Sequence, residues 1–332
     1  MITLKNVNVN ELESAAQSCD FILPIEQTAV WTNYQATIEG RKPWGCFIIQ
    51  QDEKPLAFIS LIDFETHGYH YVRSMHGPAW LEHPTQELET QVLQALATQL
   101  KQADKNLVFM RVDTWYDNLA VPVLSTVPYN QTVIISLEGG YEEILKRMKT
   151  RGRRDVRKAM RECPATCMDE TERAYADFSE YYEVMVDTGK RDGFVPAPLS
   201  DYTDMLGALG KDHCRVFAAR VDERVVGWSI ITIHGPVAVR YYAAMRSDAM
   251  HMFVTDRLLY AECCMLYDLG VTHYDLMGIG NDFAPSLKGL NVFKTKFSTE
   301  IIPVAAGRDI PLRPVYYKAL TTAKKLRKVL KH

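Results

Sequence analysis

Several features that define common protein classes are missing from this 332-residue chain. No apolar run approaches the roughly 18 residues that cross a membrane, and Met1 to Asn10 lack the basic-then-apolar order of a signal peptide. These absences predict a cytoplasmic protein. The seven cysteines have neither C-x-x-C spacing nor nearby histidine partners. We therefore expect reduced thiols and neither a metal site nor a disulfide framework.

The composition is that of an ordinary globular protein. At 47% hydrophobic residues, the chain is long enough for two domains that each bury a core. The net charge of −3 favours no particular partner, but the positive charge is unevenly spread along the chain. Its distribution therefore matters more than its sum.

An internal repeat predicts the architecture. Each copy reads as a strand pair, a third strand, a helix and another apolar strand. The strand pairs are Cys46 to Phe64 and Arg215 to Ile233, the helices Leu88 to Gln102 and Val254 to Leu269, and the last strands Leu107 to Val112 and Thr272 to Met277. This order predicts an α/β fold of two similar domains, each a mixed, mostly antiparallel sheet flanked by helices. We place the first domain at residues 1–139 and the second at 140–310, with a C-terminal helix at 311–332.

The join between the copies is the most charged stretch and reads as one basic helix over residues 141–162. Its narrow apolar stripe consists of Leu145, Met148, Gly152, Val156 and Ala159. Arg151, Arg153, Arg154, Arg157 and Lys158 belong to the broad basic remainder. A phosphate-rich ligand would relieve the repulsion among these like charges. The alternative is a solvated face without a ligand.

The stretch Gly270 to Phe297 reads as a site wall. It contains a buried strand, a loop punctuated by Gly278 and Gly280, and a second strand that begins near Asn291. Because side chains alternate along a strand, this pattern places Lys294 and Lys296 on one side and Phe293 on the other.

Motifs over nearly the whole chain resemble the FemABX aminoacyltransferases. They are Gln27-x-x-x-Trp31, Arg73 to Pro78, Gln131 to Ala159, Thr188 to Phe194, Tyr274 to Gly280 and Gly289 to Phe297. The resemblance implies two GNAT-type domains, with the C-terminal segment returning to the first. The short, FemX-like form is expected, because no helical pattern is long enough for the helical arm of other members.

The resemblance also implies a reaction: transfer of an amino acid from aminoacyl-tRNA to the side-chain amine of a peptidoglycan precursor. The acceptor would be a UDP- or lipid-linked muramyl-pentapeptide, the basic helix would bind tRNA, and no cofactor is needed. Lys294 would stabilise negative charge and Phe293 would shape the site. Asp113 is a candidate to orient or deprotonate the amine, with a structural turn role as the alternative.

Tyr202 and Tyr242 match tyrosines that the family places around the precursor, although core packing is the alternative for both. Two positions depart from the family, since Gln35 replaces a lysine and Pro198 replaces an arginine. The nearby cations Arg41, Lys42, Arg73, Lys190 and Arg191 are alternatives for the phosphates.

Two other functions stay open. A GNAT-type N-acyltransferase would use acyl-CoA, but Arg246 to Val254, where a glycine-rich pyrophosphate loop is expected, contains no glycine. A non-catalytic tRNA-binding protein would explain the basic helix alone. We expect a monomer, and the basic C-terminal helix suggests peripheral contact with the inner membrane face.

Overall fold

The computed structural model describes residues 1–123 and 127–330. The chain divides into two compact units, Met1–Asn130 together with Val304–His332, and Gln131–Pro303. Each unit is a mixed sheet flanked by helices, so the predicted α/β fold is confirmed.

The elements follow in chain order. The first unit begins with β1 (Ile2–Val7), α1 (Val9–Gln17), α2 (Ala29–Ala36), β2 (Arg41–Gln51), β3 (Lys54–Thr66), β4 (Tyr69–Arg73), β5 (Ala79–Trp80), α3 (Gln86–Ala103), β6 (Leu107–Thr114) and β7 (Val121–Pro122). The second contains β8 (Gln131–Ser136), α4 (Tyr141–Arg147), α5 (Thr150–Glu162), β9 (Thr166–Asp169), α6 (Thr171–Ala176), α7 (Ser179–Asp192), α8 (Leu199–Leu209), β10 (Cys214–Val221), β11 (Arg224–His234), β12 (Val237–Met245), α9 (Val254–Asp268), β13 (His273–Gly278), α10 (Lys288–Lys294) and β14 (Ile302–Pro303). The first unit is completed by β15 (Ala306–Pro311) and α11 (Pro314–Leu330).

The two sheets have the same plan. Among the described residues the first sheet has the strand order β1-β2-β3-β4-β6-β15-β7, with β5 paired to β3. The second sheet, read in the same direction, has the order β9-β10-β11-β12-β13-β8-β14. The β4–β6 and β12–β13 pairs are parallel, and the other neighbours are antiparallel. Turn residues Asp52, Glu53, Asp222 and Glu223 have positive φ, which suits tight hairpins. Helices α3 and α9 pack leucine-rich faces into the two cores.

The unit boundaries differ from the predicted ones. Strand β8 pairs with β13 and β14, so the second unit starts at Gln131 and not after residue 139. Strand β15 pairs with β6, so the return to the first unit starts at Val304 and not at residue 311. These pairings join residues distant in sequence, and local patterns do not report them. Residues 331–332 of the predicted C-terminal helix lie outside the described residues.

The predicted basic helix is two helices, because the backbone is extended at Met148 and Lys149. The predicted stripe is nevertheless confirmed: Leu145, Met148, Gly152, Val156 and Ala159 are all buried.

The predicted second strand near Asn291 is wrong, because residues 288–294 form α10. Phe293 and Phe297 are four residues apart, and their rings pack edge to face at 5.1 Å against the core of the second unit. Side chains four residues apart meet on one face of a helical turn, whereas the short run alone also fits an alternating strand.

Candidate active site

Lys294 lies beside a bulge at the carboxyl end of β13. The register with β8 shifts between Asp275 and Gly278, and Met277 has a φ of +62°. Bulges of this kind re-aim backbone groups next to functional sites. Here the Lys294 Nζ donates to the Gly278 carbonyl at 2.9 Å and to the Met277 carbonyl at 3.3 Å.

The environment of Lys294 lowers the pKa of its amine to about 8. Burial is the main cause, and the positive charge of Arg240 adds to it, while Asp275 opposes the shift. Asp275 itself accepts from the Met277 N–H at 2.6 Å and from the Thr132 hydroxyl. A lysine with such a pKa changes its charge close to neutral pH, as catalytic groups do.

The loop that leads to α10 is tightly braced. Asn291 Oδ1 accepts from the Gly280 N–H at 2.8 Å, and its Nδ2 donates to the Gly280 carbonyl at 2.7 Å. A Cβ at Gly280 would lie 2.1 Å from the Lys288 nitrogen, so only glycine fits. The sequence-level glycine signal therefore marks a close backbone approach that holds α10.

The sequence predicted Lys294 and Lys296 on the same side of a strand, but the two side chains have different surroundings. Lys296 is buried and forms ion pairs with Asp256 at 2.5 Å and Asp155 at 3.3 Å. Its ammonium also lies 5.4 Å from the centroid of the Phe293 ring. Phe293 therefore packs between the core and this ion-pair cluster.

A buried polar network that sequence reasoning missed lies in the second unit. Glu262 is fully buried and accepts from the Ser229 and Tyr274 hydroxyls, both at 2.6 Å, and from Arg240 Nε at 3.1 Å. These contacts fix the side chain of Arg240, a residue of β12. In the sequence, Arg240 stands in the mostly apolar strand β12, but Glu262 is one of several charged residues of α9 and does not stand out.

The two predicted precursor-binding tyrosines contact each other, with ring centroids 5.1 Å apart. Tyr202 is 2% exposed and stacks on Phe178 at 5.8 Å. Burial raises the pKa of Tyr202 to about 12, with a further contribution from Tyr242. Tyr202 thus packs in the core, whereas Tyr242, on β12, is half-buried.

Asp113 belongs to a cluster in the first unit. Its Oδ2 accepts from the His76 N–H at 3.1 Å and lies 3.6 Å from His76 Nδ1, and His76 Nε2 lies 3.9 Å from Glu26 Oε1. Burial raises the pKa of Asp113, while the charges of His76 and Arg73 oppose the shift. Glu26 and His76 were not predicted, although His76 stands inside the quoted motif Arg73 to Pro78.

The buried Gln27 explains two of the motifs. Its Nε2 donates to Ser74 Oγ at 2.9 Å and to the Met75 carbonyl at 2.5 Å, and its Oε1 accepts from the Ser60 N–H at 2.7 Å. Gln27 therefore ties the segment before α2 to the loop that carries His76.

Gln35 is buried and holds the side chain of Arg41. It is 4% exposed and accepts from Arg41 Nη1 at 2.9 Å, and the Arg41 guanidinium lies 4.7 Å from the Phe64 ring centroid. Arg73, at the end of β4, is half-buried. Arg191 pairs with Asp192 at 2.7 Å and donates to the Met245 carbonyl at 2.8 Å, so part of its guanidinium serves the local structure.

The basic helix residues differ in environment. Arg151 and Arg154 are exposed and pair with Asp155 at 3.6 Å and 3.1 Å, and Arg157 is exposed. Lys158 lies 4.4 Å from the Phe253 ring centroid. Arg153 instead donates to the carbonyls of Lys146 and Met148 and to Thr150 Oγ1. Arg153 therefore braces the junction between α4 and α5.

The segment before α9 is a 3-10 turn, Ser247–Met252. The Ser247 N–H donates to Asp187 Oδ2 at 2.6 Å, and the Ala249 N–H donates to the Arg246 carbonyl at 3.2 Å. These backbone donors are already used within the protein. The hydrogen bond from Ser247 also lowers the pKa of Asp187.

The solved structure titled "Crystal structure of FemX" matches with a TM-score of 0.74 over 96% of this chain and 100% of that chain, at 14% identity. The chain has a FemX-like fold. In addition, the sequence model of the acetyltransferase (GNAT) domain matches residues 150–284. Together these findings support an acyltransferase role. Comparison with the curated proteins gives no match.

Two further structures share this FemX-like fold at lower similarity. A tandem GNAT protein from the clavulanic acid biosynthesis pathway is 9% identical, covers 94% of this chain and 99% of its own, and has a TM-score of 0.56. L-PGS from Bacillus licheniformis is 11% identical, covers 97% and 98%, and has a TM-score of 0.54. Within the described residues, no helix has the length and apolar content to span a membrane.

Proposed function

We propose that this chain is an aminoacyltransferase that moves an amino acid from aminoacyl-tRNA to the side-chain amine of a peptidoglycan precursor. The observation that carries the proposal is the half-buried Lys294, held at the β13 bulge with its pKa lowered to about 8, within a FemX-like fold. The FemABX resemblance of the motif around Lys294 points to the same reaction.

In this reaction the enzyme must align the amine with the ester more than it must activate the ester. An aminoacyl ester is already activated toward an amine, so the enzyme must mainly position the attacking amine and stabilise the oxyanion. The ammonium of Lys294 supplies positive charge to that oxyanion, and Phe293 holds the helix that presents it. Within the first unit, we separately propose Asp113 as a group to orient or deprotonate an amine. Protein groups alone perform these tasks.

We propose that the exposed face of α5 binds tRNA. Arg151, Arg154, Arg157 and Lys158 form this RNA face, whereas Arg153 supports the junction between α4 and α5. Phosphates would replace two carboxylates as partners of these cations: Asp155, which pairs with Arg151 and Arg154, and Glu162, which pairs with Lys158. In the first unit, we propose Arg73 and Arg41, the latter bound to Gln35, as contacts for the precursor. In the second unit, we propose Tyr242 and Arg191. We further propose that the protein acts in the cytoplasm as a monomer.

The second candidate is transfer from acyl-CoA, and the GNAT domain match favours it. The site offers less support, because Asp187 and Arg246 already take backbone donors of the segment before α9. A pyrophosphate would have to displace the carboxylate of Asp187.

The test incubates the purified chain with radiolabelled aminoacyl-tRNAs, with acetyl-CoA as a parallel donor. The acceptors are the UDP-linked and the lipid-linked muramyl-pentapeptide that contain lysine. We expect label to move from tRNA to peptide, and Lys294→Met to lower the rate at least 100-fold, the effect of removing one oxyanion contact. Transfer from acetyl-CoA alone would establish the second candidate, and transfer from neither donor would contradict the proposal.

A further inference from the structure

Helix α11 is attached to the first unit by side chains near its N-terminus. The Tyr317 hydroxyl donates to the buried carboxylate of Asp309 at 2.9 Å, and its ring packs edge to face on Phe109, with centroids 5.4 Å apart. One turn later, the half-buried Leu320 packs against the same aromatic cluster. Tyr317 and Leu320 are three residues apart, so they lie on one face of the helix, and that face is turned toward the unit.

The opposite face of α11 carries a mostly apolar stripe that is exposed to solvent. The members of this outer stripe recur at spacings of four, three and four residues along the helix: Val315, Ala319, Thr322 and Leu326. All four are exposed, and the exposed fraction reaches 87% at Val315 and 59% at Leu326. Single exposed aliphatic residues are common, but a continuous stripe marks an interaction surface.

The charges along this segment have one sign. From Pro314 to His332 the sequence contains six lysine and arginine residues and no aspartate or glutamate. Lys318 is exposed and borders the outer stripe, because it lies three and four residues from two of its members. At the start of the helix, the Arg313 guanidinium lies 5.3 Å from the ring centroid of the exposed Tyr316. The helix therefore suits a partner that combines apolar and anionic groups.

An anionic lipid bilayer has both kinds of group. A helix in the plane of its interface inserts apolar side chains among the acyl chains and places its cations at the phosphates. Nucleic acid would attract the same cations but leave Val315 and Leu326 in water. Helix α5 has the arrangement that suits nucleic acid, with its apolar stripe buried and cations such as Arg151 and Arg154 exposed. Pairing with α11 of a second copy would bring like charges together.

We propose that α11 is an interfacial helix that holds the protein on an anionic lipid bilayer by inserting the outer stripe. The attachment of Tyr317 and Leu320 on the opposite face orients the stripe outward before any lipid is bound. Basic composition alone suggested contact with a membrane, and the exposure of the apolar side adds which residues insert. The surface goes beyond the proposed function, because lipid binding requires neither tRNA nor an acceptor amine.

Co-sedimentation of the full chain with vesicles tests the surface. Vesicles of phosphatidylcholine alone are compared with vesicles that contain an equal amount of phosphatidylglycerol. We expect binding to the anionic vesicles, and the double variant Val315→Ser/Leu326→Ser should weaken it about tenfold or more, because two inserted aliphatic side chains are lost. The matched variant Ile22→Ser/Ile301→Ser removes two exposed aliphatic side chains elsewhere and should bind like the wild type. Unchanged binding by the α11 variant, or an equal loss in the matched variant, would overturn the proposal.

Hydrogen exchange identifies the partner of the outer stripe. The backbone amides of residues 321–330 should exchange more slowly when anionic vesicles are added, and at an unchanged rate when tRNA is added. Slower exchange with tRNA alone would assign the stripe to nucleic acid. Slower exchange with rising protein concentration and no vesicles would assign it to a second copy. Either result would overturn the proposal.

Parallel transfer assays separate this surface from the proposed function. Binding to anionic vesicles without any transfer from aminoacyl-tRNA would keep the lipid surface and refute the proposed function. Transfer by a wild-type chain that does not bind the vesicles would refute the lipid surface alone.

Discussion

At the scale of single residues, burial gives Lys294 its chemistry. A lysine on an exposed strand would keep its ordinary pKa and a flexible ammonium. Lys294 instead has its amine on two carbonyls of the β13 bulge, beside the positive charge of Arg240. The motif identifies the residue, but its surroundings come from three elements that are separate in sequence.

The pH dependence of transfer tests the role of Lys294. Its pKa is lowered from 10.5 to about 8, so the side chain is charged below that pH and neutral above it. If the charge stabilises the oxyanion, single-turnover rates should fall as the pH rises through about 8. Lys294→Arg, which stays charged, should lack that fall. A rate that instead rises through pH 8 in the wild type would indicate a general base.

At the scale of elements, close backbone approaches hold the site helix in place. Gly280 contacts the start of α10, and Gly152 of α5 lies against the Lys296 carbonyl, where a Cβ would be 2.2 Å away. Lys296 also pairs with Asp155 of α5 and Asp256 of α9. The RNA face and the Lys294 helix are therefore parts of one packed assembly within the second unit.

Alanine substitutions at two glycines test this bracing. Gly280→Ala should displace α10 and lower both the melting temperature and the transfer rate, because the new Cβ would overlap the Lys288 backbone. Gly289→Ala is the matched control, since it lies within α10 with open space around its Cβ position. It should stabilise the helix by up to about 1 kcal/mol. Equal melting temperatures for the two variants would refute the bracing.

The proposed RNA face can be tested by removing its arginines. Replacing Arg151, Arg154 and Arg157 by alanine should weaken tRNA binding and lower the slope of log K against log salt by about two to three. Fluorescence anisotropy over a salt series measures both quantities. The control replaces three other exposed cations of the second unit, Arg173, Lys211 and Arg224. Equal effects of the two triple variants would assign the binding to overall charge.

At the scale of the whole molecule, a buried ion pair attaches the C-terminal segment to the first unit. Arg111 on β6 binds Asp309 on β15 through two hydrogen bonds of 2.6 Å and 2.9 Å. Tyr317 of α11 donates to the same carboxylate at 2.9 Å. Chain ends that lie far apart in sequence thus share one sheet.

Asp309→Ala should destabilise the first unit by about 3–5 kcal/mol, because it leaves Arg111 buried without its partner. Guanidinium unfolding followed by tryptophan fluorescence measures the loss. The control Asp52→Asn removes an exposed pair with the N-terminus and suits a left-handed turn position. It should leave the midpoint unchanged. A small effect of Asp309→Ala would show that strand pairing alone holds β15.

The sequence by itself determined what short-range spacing encodes: the repeat, both hairpins with their acidic turns, the central helices and the buried stripe of the basic segment. The motif around Lys294 made that residue a candidate site residue, and the position of Asp113 at the end of a predicted strand made it another. Tertiary structure alone decided that β8 joins the second sheet, that residues 288–294 form a helix, and that Glu26, His76 and Asp113 meet. The physical reason is that side-chain period is a local property. Burial, pKa and partner choice depend on contacts between residues that are far apart along the chain.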